Sequence, residues 1–193
     1  MSNIKKLNPF NLALATCIAI AMSYCSGNPS VKWQEEVRME NGEMLLVDRK
    51  AKGKIDKGEQ SDPKMWTITK MSFKVQQMPA NWTAPPVWHS EKHIPIFLDY
   101  HPQEHTWSVV VTFMHPGWAL LSRPDLSCIE YQSKNGGPWQ VIPLEKRLIG
   151  RKNNMLVIPN HKGEPKLVTE EERDRRNSRP DGTFRTIAPV WNR

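Results

Sequence analysis

The sequence has little cysteine: its 193 residues contain three, at positions 17, 25 and 128, too few for the disulfide framework of a small secreted domain. It also lacks an apolar run of about 20 residues, the length that a transmembrane helix needs. It contains no G-x-S-x-G motif of a serine hydrolase, and no block of lysine and arginine is dense enough to indicate a nucleic-acid partner. Because no catalytic signature is left, the sequence predicts a non-enzymatic protein.

The first 25 residues resemble a bacterial export signal. Lys5 and Lys6 precede an apolar run over residues 12–22, which ends shortly before Cys25-Ser26-Gly27. A basic start, about 7 to 15 apolar residues and a small-residue exit are the three parts of such a signal. The alternatives are an uncleaved anchor or a buried first helix, and as an anchor the lysines would stay in the cytoplasm while the remaining chain faced outward.

The position of Cys25 points to a lipoprotein. Residues 21–26 resemble the bacterial lipoprotein signal, in which a cysteine at the end of the apolar core is acylated and becomes the first residue of the mature chain. The polar, turn-rich residues 26–32 would then tether a single domain formed by residues 33–193. The alternative is cleavage after Ala21, which would give a soluble periplasmic protein. We therefore expect the chain on the periplasmic side of the cell envelope, attached to the membrane through lipid on Cys25.

The net charge indicates the kind of partner. Removing residues 1–25 takes away two lysines and no acidic residue, so the formal charge falls from +7 to +5. A mildly basic surface of this kind is either simply solvated or attracted to acidic lipid, lipopolysaccharide or peptidoglycan.

Most of the mature chain is predicted to form strands joined by turns, and the firmest prediction is the first hairpin. Residues 33–39 and 44–49 flank Asn41-Gly42, the favoured pair for a two-residue type I′ turn. With that turn, Met39 would lie opposite Met44 and Val37 opposite Leu46.

The rest of the chain continues the pattern. Residues 50–63 are predicted to form an exposed loop and residues 144–149 one helical turn. Thr169 is the predicted N-cap of a helix that is polar all round and therefore lies on the surface. The remaining predicted strands cover residues 70–76, 94–100, 107–114, 128–132, 139–142, 155–158 and 183–190. The predicted fold is mainly β: an antiparallel sandwich or open barrel of hairpins with one short C-terminal surface helix.

Histidines are concentrated in one region. Five of the six fall in residues 89–115, and residues 101–105 spell the H-x-x-E-H string of inverted zinc proteases. That chemistry needs a helix, whereas Pro102 and the flanking alternation predict a hairpin loop. The alternative function is therefore a periplasmic metal-binding protein that holds Zn²⁺ or Cu²⁺ loosely. Its candidate ligands are His89, His93, His101 and His105.

Tryptophan is frequent, with eight residues in the chain. Trp82 and Trp88 lie in a proline-rich segment and could form a stacking surface for a sugar or a peptide, although packing in the core explains them as well. Cys128 begins a predicted strand and is expected to be a buried, inert thiol.

Four segments of the mature chain together carry a resemblance. They are Trp33-Gln34-Glu35-Glu36-Val37 with the following Asn41-Gly42, Trp88-His89, Leu148-Ile149-Gly150-Arg151-Lys152, and residues 169–179. In these segments the chain resembles a group of uncharacterised proteobacterial envelope proteins. The resemblance implies an envelope location but no activity and no site residue. We therefore expect a binding or structural module whose envelope partner or polymer the sequence does not identify.

Overall fold

The computed structural model describes residues 29–56, 65–114, 128–178 and 186–187. The strands are β1 (Ser30–Arg38), β2 (Met44–Asp56), β3 (Met65–Gln77), β4 (Trp88–Ser90), β5 (His93–His101), β6 (Thr106–Phe113), β7 (Cys128–Lys134), β8 (Gln140–Ile142) and β9 (Leu167–Val168). A 3₁₀ helix covers Lys146–Leu148, and an α-helix, α1, covers Glu170–Asn177.

The strands form two sheets that pack as a sandwich. The first sheet has the order β4-β3-β2-β1-β9, and the second has the order β5-β6-β7-β8. All neighbours are antiparallel except β1 and β9, which run parallel. Neither sheet closes into a barrel. The predicted fold class, an antiparallel sandwich of hairpins with one short C-terminal helix, is confirmed.

The first sheet buries one face and leaves the other in water. Along β1, Val31, Trp33, Glu35 and Val37 are buried, while the residues between them are exposed or half-buried. The same alternation continues over residues 45–53 of β2 and 71–75 of β3, as expected for a sheet that packs on a core on one side only. In the second sheet every residue of β6 is buried. The core therefore lies between the two sheets, and the second sheet is also covered on its other face at β6.

The first hairpin is present, but its turn and register differ from the prediction. Gly42 N–H donates to the carbonyl of Met39 at 3.0 Å, and Gly42 has a φ of +88° whereas Asn41 does not lie in the left-handed region. A type I′ turn needs positive φ at both central residues, so this is a three-residue loop in which Gly42 forms a bulge.

The extra loop residue shifts the pairing. Val37 lies opposite Leu45 rather than Leu46, and Arg38 rather than Met39 lies opposite Met44. As a result Leu45 is buried and Met44 is 38 % exposed. A shift of one residue exchanges the two faces of a strand, so the predicted pairing placed the wrong residues of β2 in the core.

Two further predictions are wrong. Residues 50–56 continue β2 instead of forming a loop; the rest of that predicted loop lies outside the described residues. Residues 155–158 form no strand, although Met155, Leu156 and Val157 are buried. Of the predicted strand 183–190 only residues 186–187 are described, and Thr186 forms a bridge to Lys152. The remaining predicted hairpins and the helical turn near residue 146 are confirmed.

The buried segment 153–157 covers the free edge of β5. The side chain of Asn154 accepts from Leu98 N–H at 2.8 Å and donates to Leu98 C=O at 2.7 Å, as a neighbouring strand would. Met155 N–H adds a bond to the carbonyl of Ile96. An uncovered edge exposes unpaired backbone groups, so this segment replaces a fifth strand of the second sheet.

Helix α1 begins as predicted, with the Thr169 hydroxyl accepting from Glu172 N–H. It is not exposed all round, because Arg173 and Asn177 are buried. The Arg173 guanidinium donates to the carbonyl of Glu36, and the Asn177 side chain bonds to the backbone of Met155. Polar contacts rather than an apolar stripe hold this helix on the sandwich.

Gly42→Ala should lower the free energy of unfolding by about 1 to 2 kcal/mol, because an L-residue resists the left-handed conformation. No neighbouring atom lies within 4 Å of the added methyl group, so the effect reports the backbone alone. Urea unfolding measures it. Gly42→Asn is the matched control and should cost less, since asparagine tolerates this conformation; equal costs for both variants would contradict the assigned turn.

Candidate functional site

An ion pair lies in the middle of the sandwich. Glu35 of β1 and Arg49 of β2 are both on the inner face, with Nη1 and Oε2 2.8 Å apart and both side chains fully buried. The guanidinium lies 5.3 Å from the centre of the Trp33 ring, and the Trp33 indole donates to the same carboxylate. Burial raises the pKa of Glu35, an effect that the charge of Arg49 opposes, and burial lowers the pKa of Arg49.

The pair also connects separate parts of the chain. Arg49 Nη2 donates to the carbonyls of Pro95 and Leu156, at 3.4 and 3.2 Å, and Leu156 N–H donates to the Glu35 carboxylate. The first sheet is thereby bonded to β5 and to the segment that covers the edge of β5. The role of these two charges is structural, since neither is accessible to a ligand.

On the opposite face of the same strands lies an open groove of about 540 Å³. It crosses the first sheet from Lys166, just before β9, to Val87, just before β4. The polar side chains that line it on the outer face are Lys32, Gln34, Asp48, Lys50, Ser72, Lys74 and Lys166. We call this feature the lysine groove.

The lysine groove carries a net positive charge, with four lysines and one aspartate in its lining. Within the described ranges, none of its four lysines takes part in an ion pair. Lys32 lies directly opposite Lys50, a pairing of like charges that destabilises a sheet. Asp48, the acidic residue of the lining, accepts hydrogen bonds from Gln34 and Gln76 instead. A site of this kind attracts anions.

A second cavity, of about 210 Å³, is also lined by basic residues, but their charges are paired with carboxylates. Its lining includes Arg38, Arg151, Lys152 and Arg173. Each of these cations has a carboxylate partner, from Glu40, Glu170 or Asp174. Because its charges are paired, this cavity attracts an anion less strongly than the lysine groove does.

The four candidate metal ligands do not converge. His93 is buried, and its Nδ1 lies 3.1 Å from the Tyr131 hydroxyl. His101 Nε2 lies 2.8 Å from an Arg147 nitrogen, His105 Nδ1 faces the Tyr100 hydroxyl, and His89 is exposed. In the part of the chain that the structure describes, no three histidine, cysteine or acidic side chains form a group able to hold a metal ion. His115 lies outside the described residues.

His93 and Ser90 are close enough to be compared with a catalytic dyad, with Ser90 Oγ 3.3 Å from His93 Nδ1. The hydroxyl, however, already accepts from the backbone N–H groups of Lys92 and His93 at 3.1 Å. Burial and, to a lesser extent, the charge of Lys92 lower the pKa of His93. By accepting the two backbone hydrogen bonds, Ser90 holds the turn between β4 and β5.

The predicted aromatic surface is not formed. Trp88 is only 2 % exposed and stacks on Phe73 with ring centres 5.6 Å apart, so it belongs to the core. Trp82 is half-buried against Tyr100 and Trp107. Cys128 is buried, as predicted. Cys25 and the predicted signal lie outside the described residues.

The sequence prediction missed the lysine groove, although its signal was available. Lys32, Lys50 and Lys74 each stand between two buried residues, on the outward side of β1, β2 and β3. Recognising the groove requires the pairing of β1, β2 and β3, which brings these lysines together from distant parts of the chain.

Comparisons with protein-family models, with curated proteins and with solved structures return no match for this chain. Among the described residues, no helix has the length and apolar character needed to cross a membrane.

Replacing Glu35 by Leu or Arg49 by Met should each cost about 3 to 5 kcal/mol of stability, because the remaining charge is left buried without its partner. The double variant should cost clearly less than the sum, since no unpaired charge remains. Urea unfolding of the four proteins measures this. An exposed pair provides the control: Arg175→Ala, next to Glu172, should cost at most about 1 kcal/mol. Additive costs for the buried residues would contradict the coupling.

Proposed function

We propose that this protein is a non-enzymatic, lipid-anchored binding module of the bacterial cell envelope that holds an anionic ligand in the lysine groove. The observation that supports the binding function is the set of four lysines around one cavity, none of which forms an ion pair with another described residue. They come from β1, β2, β3 and the residue before β9, so the folded sheet, rather than one segment of sequence, assembles the positive charge.

The groove suits ligands that carry phosphate or carboxylate groups. Ammonium groups bind such anions as flexible point charges. Gln34 and Ser72 offer neutral hydrogen-bonding groups between the lysines, and Val87, which is 51 % exposed, adds an apolar contact at one end. Because the groove is open and crosses several strands, an extended anionic polymer fits it better than a compact ion does.

The envelope location is supported by the sequence. A basic start, a short apolar core and Cys25 followed by a polar tether are the features of a lipoprotein signal. An anionic ligand agrees with this location, since acidic lipid head groups and charged cell-wall polymers are the partners that a mildly basic envelope protein meets.

The double variant Lys32→Gln, Lys50→Gln should bind inorganic polyphosphate or polygalacturonate at least about tenfold more weakly than the unchanged protein. Each lysine contributes a charge-assisted contact of about 1 kcal/mol or more. Titration calorimetry on the purified protein at about 0.05 M salt measures the dissociation constants. The two polymers distinguish a phosphate ligand from a carboxylate ligand.

The control is Lys146→Gln, Lys162→Gln, which removes the same net charge from two exposed lysines outside the groove. It should change binding by less than about twofold. Equal loss in both double variants would mean that net charge alone attracts the polymer, and unchanged binding in the groove variant would reject the site.

The anchor has a separate test. Intact mass and N-terminal peptide analysis of protein extracted from membranes should give acylated Cys25 as the first residue. Cys25→Ser should remove the acyl mass and leave thermal stability unchanged, because the residue precedes the folded strands. An unmodified N-terminus upstream of Cys25 in the native protein would contradict the lipoprotein assignment.

A further inference from the structure

The geometry points to a membrane-docking surface at one end of the first sheet. We define the docking end as Lys52, Lys54 and Ile55, the exposed residues of β2 on either side of its bulge. We infer that it rests on anionic phospholipid head groups and fixes the orientation of the domain. The inference depends on the proposed lipid anchor at Cys25.

Chain length places the docking end close to the anchor. Gly53 N–H, between the two docking lysines, donates to the carbonyl of Pro29 at 3.0 Å. Only three residues separate Cys25 from Pro29, and even a fully extended chain covers about 14 Å over that distance. With an acyl chain on Cys25, Pro29 therefore stays within about 14 Å of the anchored residue, and Gly53 is hydrogen-bonded to Pro29.

The other end of the sheet is held away from the bilayer. The hairpin loop that contains Glu40 lies at the far end of β1, a nine-residue strand that spans about 27 Å. Arg147 and Arg151 bond to Glu40 there, so their charges are partly neutralised. Lys146, next to Arg147, is exposed at this distal end. It should therefore not contact a bilayer that is bound to the docking end.

The chemistry of the docking end fits a lipid surface. Lys52 lies directly opposite Lys70, and neither Lys52 nor Lys54 has an ion-pair partner within the described ranges. One apolar residue follows Lys54: Ile55 is 43 % exposed, and its partner across the ladder is the half-buried Trp66. Asp56 ends the strand. Cations beside an aliphatic and an aromatic side chain match the boundary between phosphate groups and acyl chains.

The lipid and the docking end have different roles. The acyl group keeps the chain at the membrane, but one point of attachment does not fix the angle between the domain and the bilayer. Lysines near an anionic surface are attracted to it, and this attraction falls off within a Debye length. Docking would hold β1 at an angle to the bilayer, with the lysine groove beside the surface and the hairpin loop away from it.

The test uses the mature lipoprotein inserted in vesicles of phosphatidylcholine alone or with phosphatidylglycerol. An amine-acetylating reagent followed by peptide mass spectrometry reports the accessibility of each lysine. We expect Lys52 and Lys54 to react about fivefold more slowly in the anionic vesicles, an effect that about 1 M salt abolishes. Lys146 should react equally in both. Equal reaction of Lys52 and Lys54 in the two vesicles, or equal protection of Lys146, would overturn the inference.

Matched variants separate docking from general charge. Lys52→Glu should restore rapid acetylation of Lys54 in anionic vesicles, whereas Lys146→Glu, which changes the net charge equally, should not. If both variants restore it equally, docking is rejected. Polyphosphate binding measured in detergent without vesicles should stay unchanged in the docking variant, so failure of docking and failure of the groove are told apart. A chain without acyl mass that does not enter the vesicles would reject the docking inference but not the groove.

Discussion

A carboxylate and a guanidinium with no exposure to water lie 2.8 Å apart at the centre of this sandwich, and they bond the first sheet to β5 and to the segment beside it. Removing two charges from water is costly, and a buried pair stabilises a fold only when its remaining hydrogen-bonding groups find partners. Here Glu35 and Arg49 bond to Trp33 in β1 itself and to Pro95 and Leu156 in two other parts of the chain. The geometry of the first sheet relative to the second is thus specified by polar contacts of fixed direction.

The lysine groove depends on this arrangement because the same strands carry both. Successive side chains of a strand point to opposite faces, so the residues on either side of Arg49 face water while Arg49 faces the core. Asp48 and Lys50 therefore line the groove directly behind the buried pair. The buried pair lies on the inner face of the strands whose outer face forms the groove. The register between β1 and β2 determines which lysines are neighbours there. A shift of one residue between β1 and β2 would separate Lys32 from Lys50.

How far the sequence predicts this structure depends on whether a feature is local. Alternation in residues 70–76 and the capping threonine at position 169 identified β3 and the start of α1 correctly, because both signals lie within a few residues. Asn41-Gly42 located the first turn but not its type, since a bulge at Gly42 competes with the two-residue turn for the same dipeptide. Residues 155–158 were predicted as a strand because they are apolar. They form no strand, because their backbone is hydrogen-bonded to Ile96 and to the Asn177 side chain.

The candidate site could not be predicted from the sequence, because its residues come together only through contacts between distant segments. Histidines and tryptophans were the predicted site residues because their side chains can bind metals or stack on ligands. Trp88 and His93, however, are buried in the interior. The lysines of the groove are individually ordinary surface residues and gain meaning only through strand pairing. Charge that is assembled by tertiary structure leaves no compact motif.

The most direct test of the account is a backbone NMR titration of the protein with inorganic polyphosphate. Chemical-shift changes that saturate together and centre on Lys32, Lys50, Lys74 and Lys166 would agree with an anion site on the outer face of the first sheet. Changes centred instead on the cavity around Arg38 and Arg151, or scattered over all exposed lysines without saturation, would contradict it.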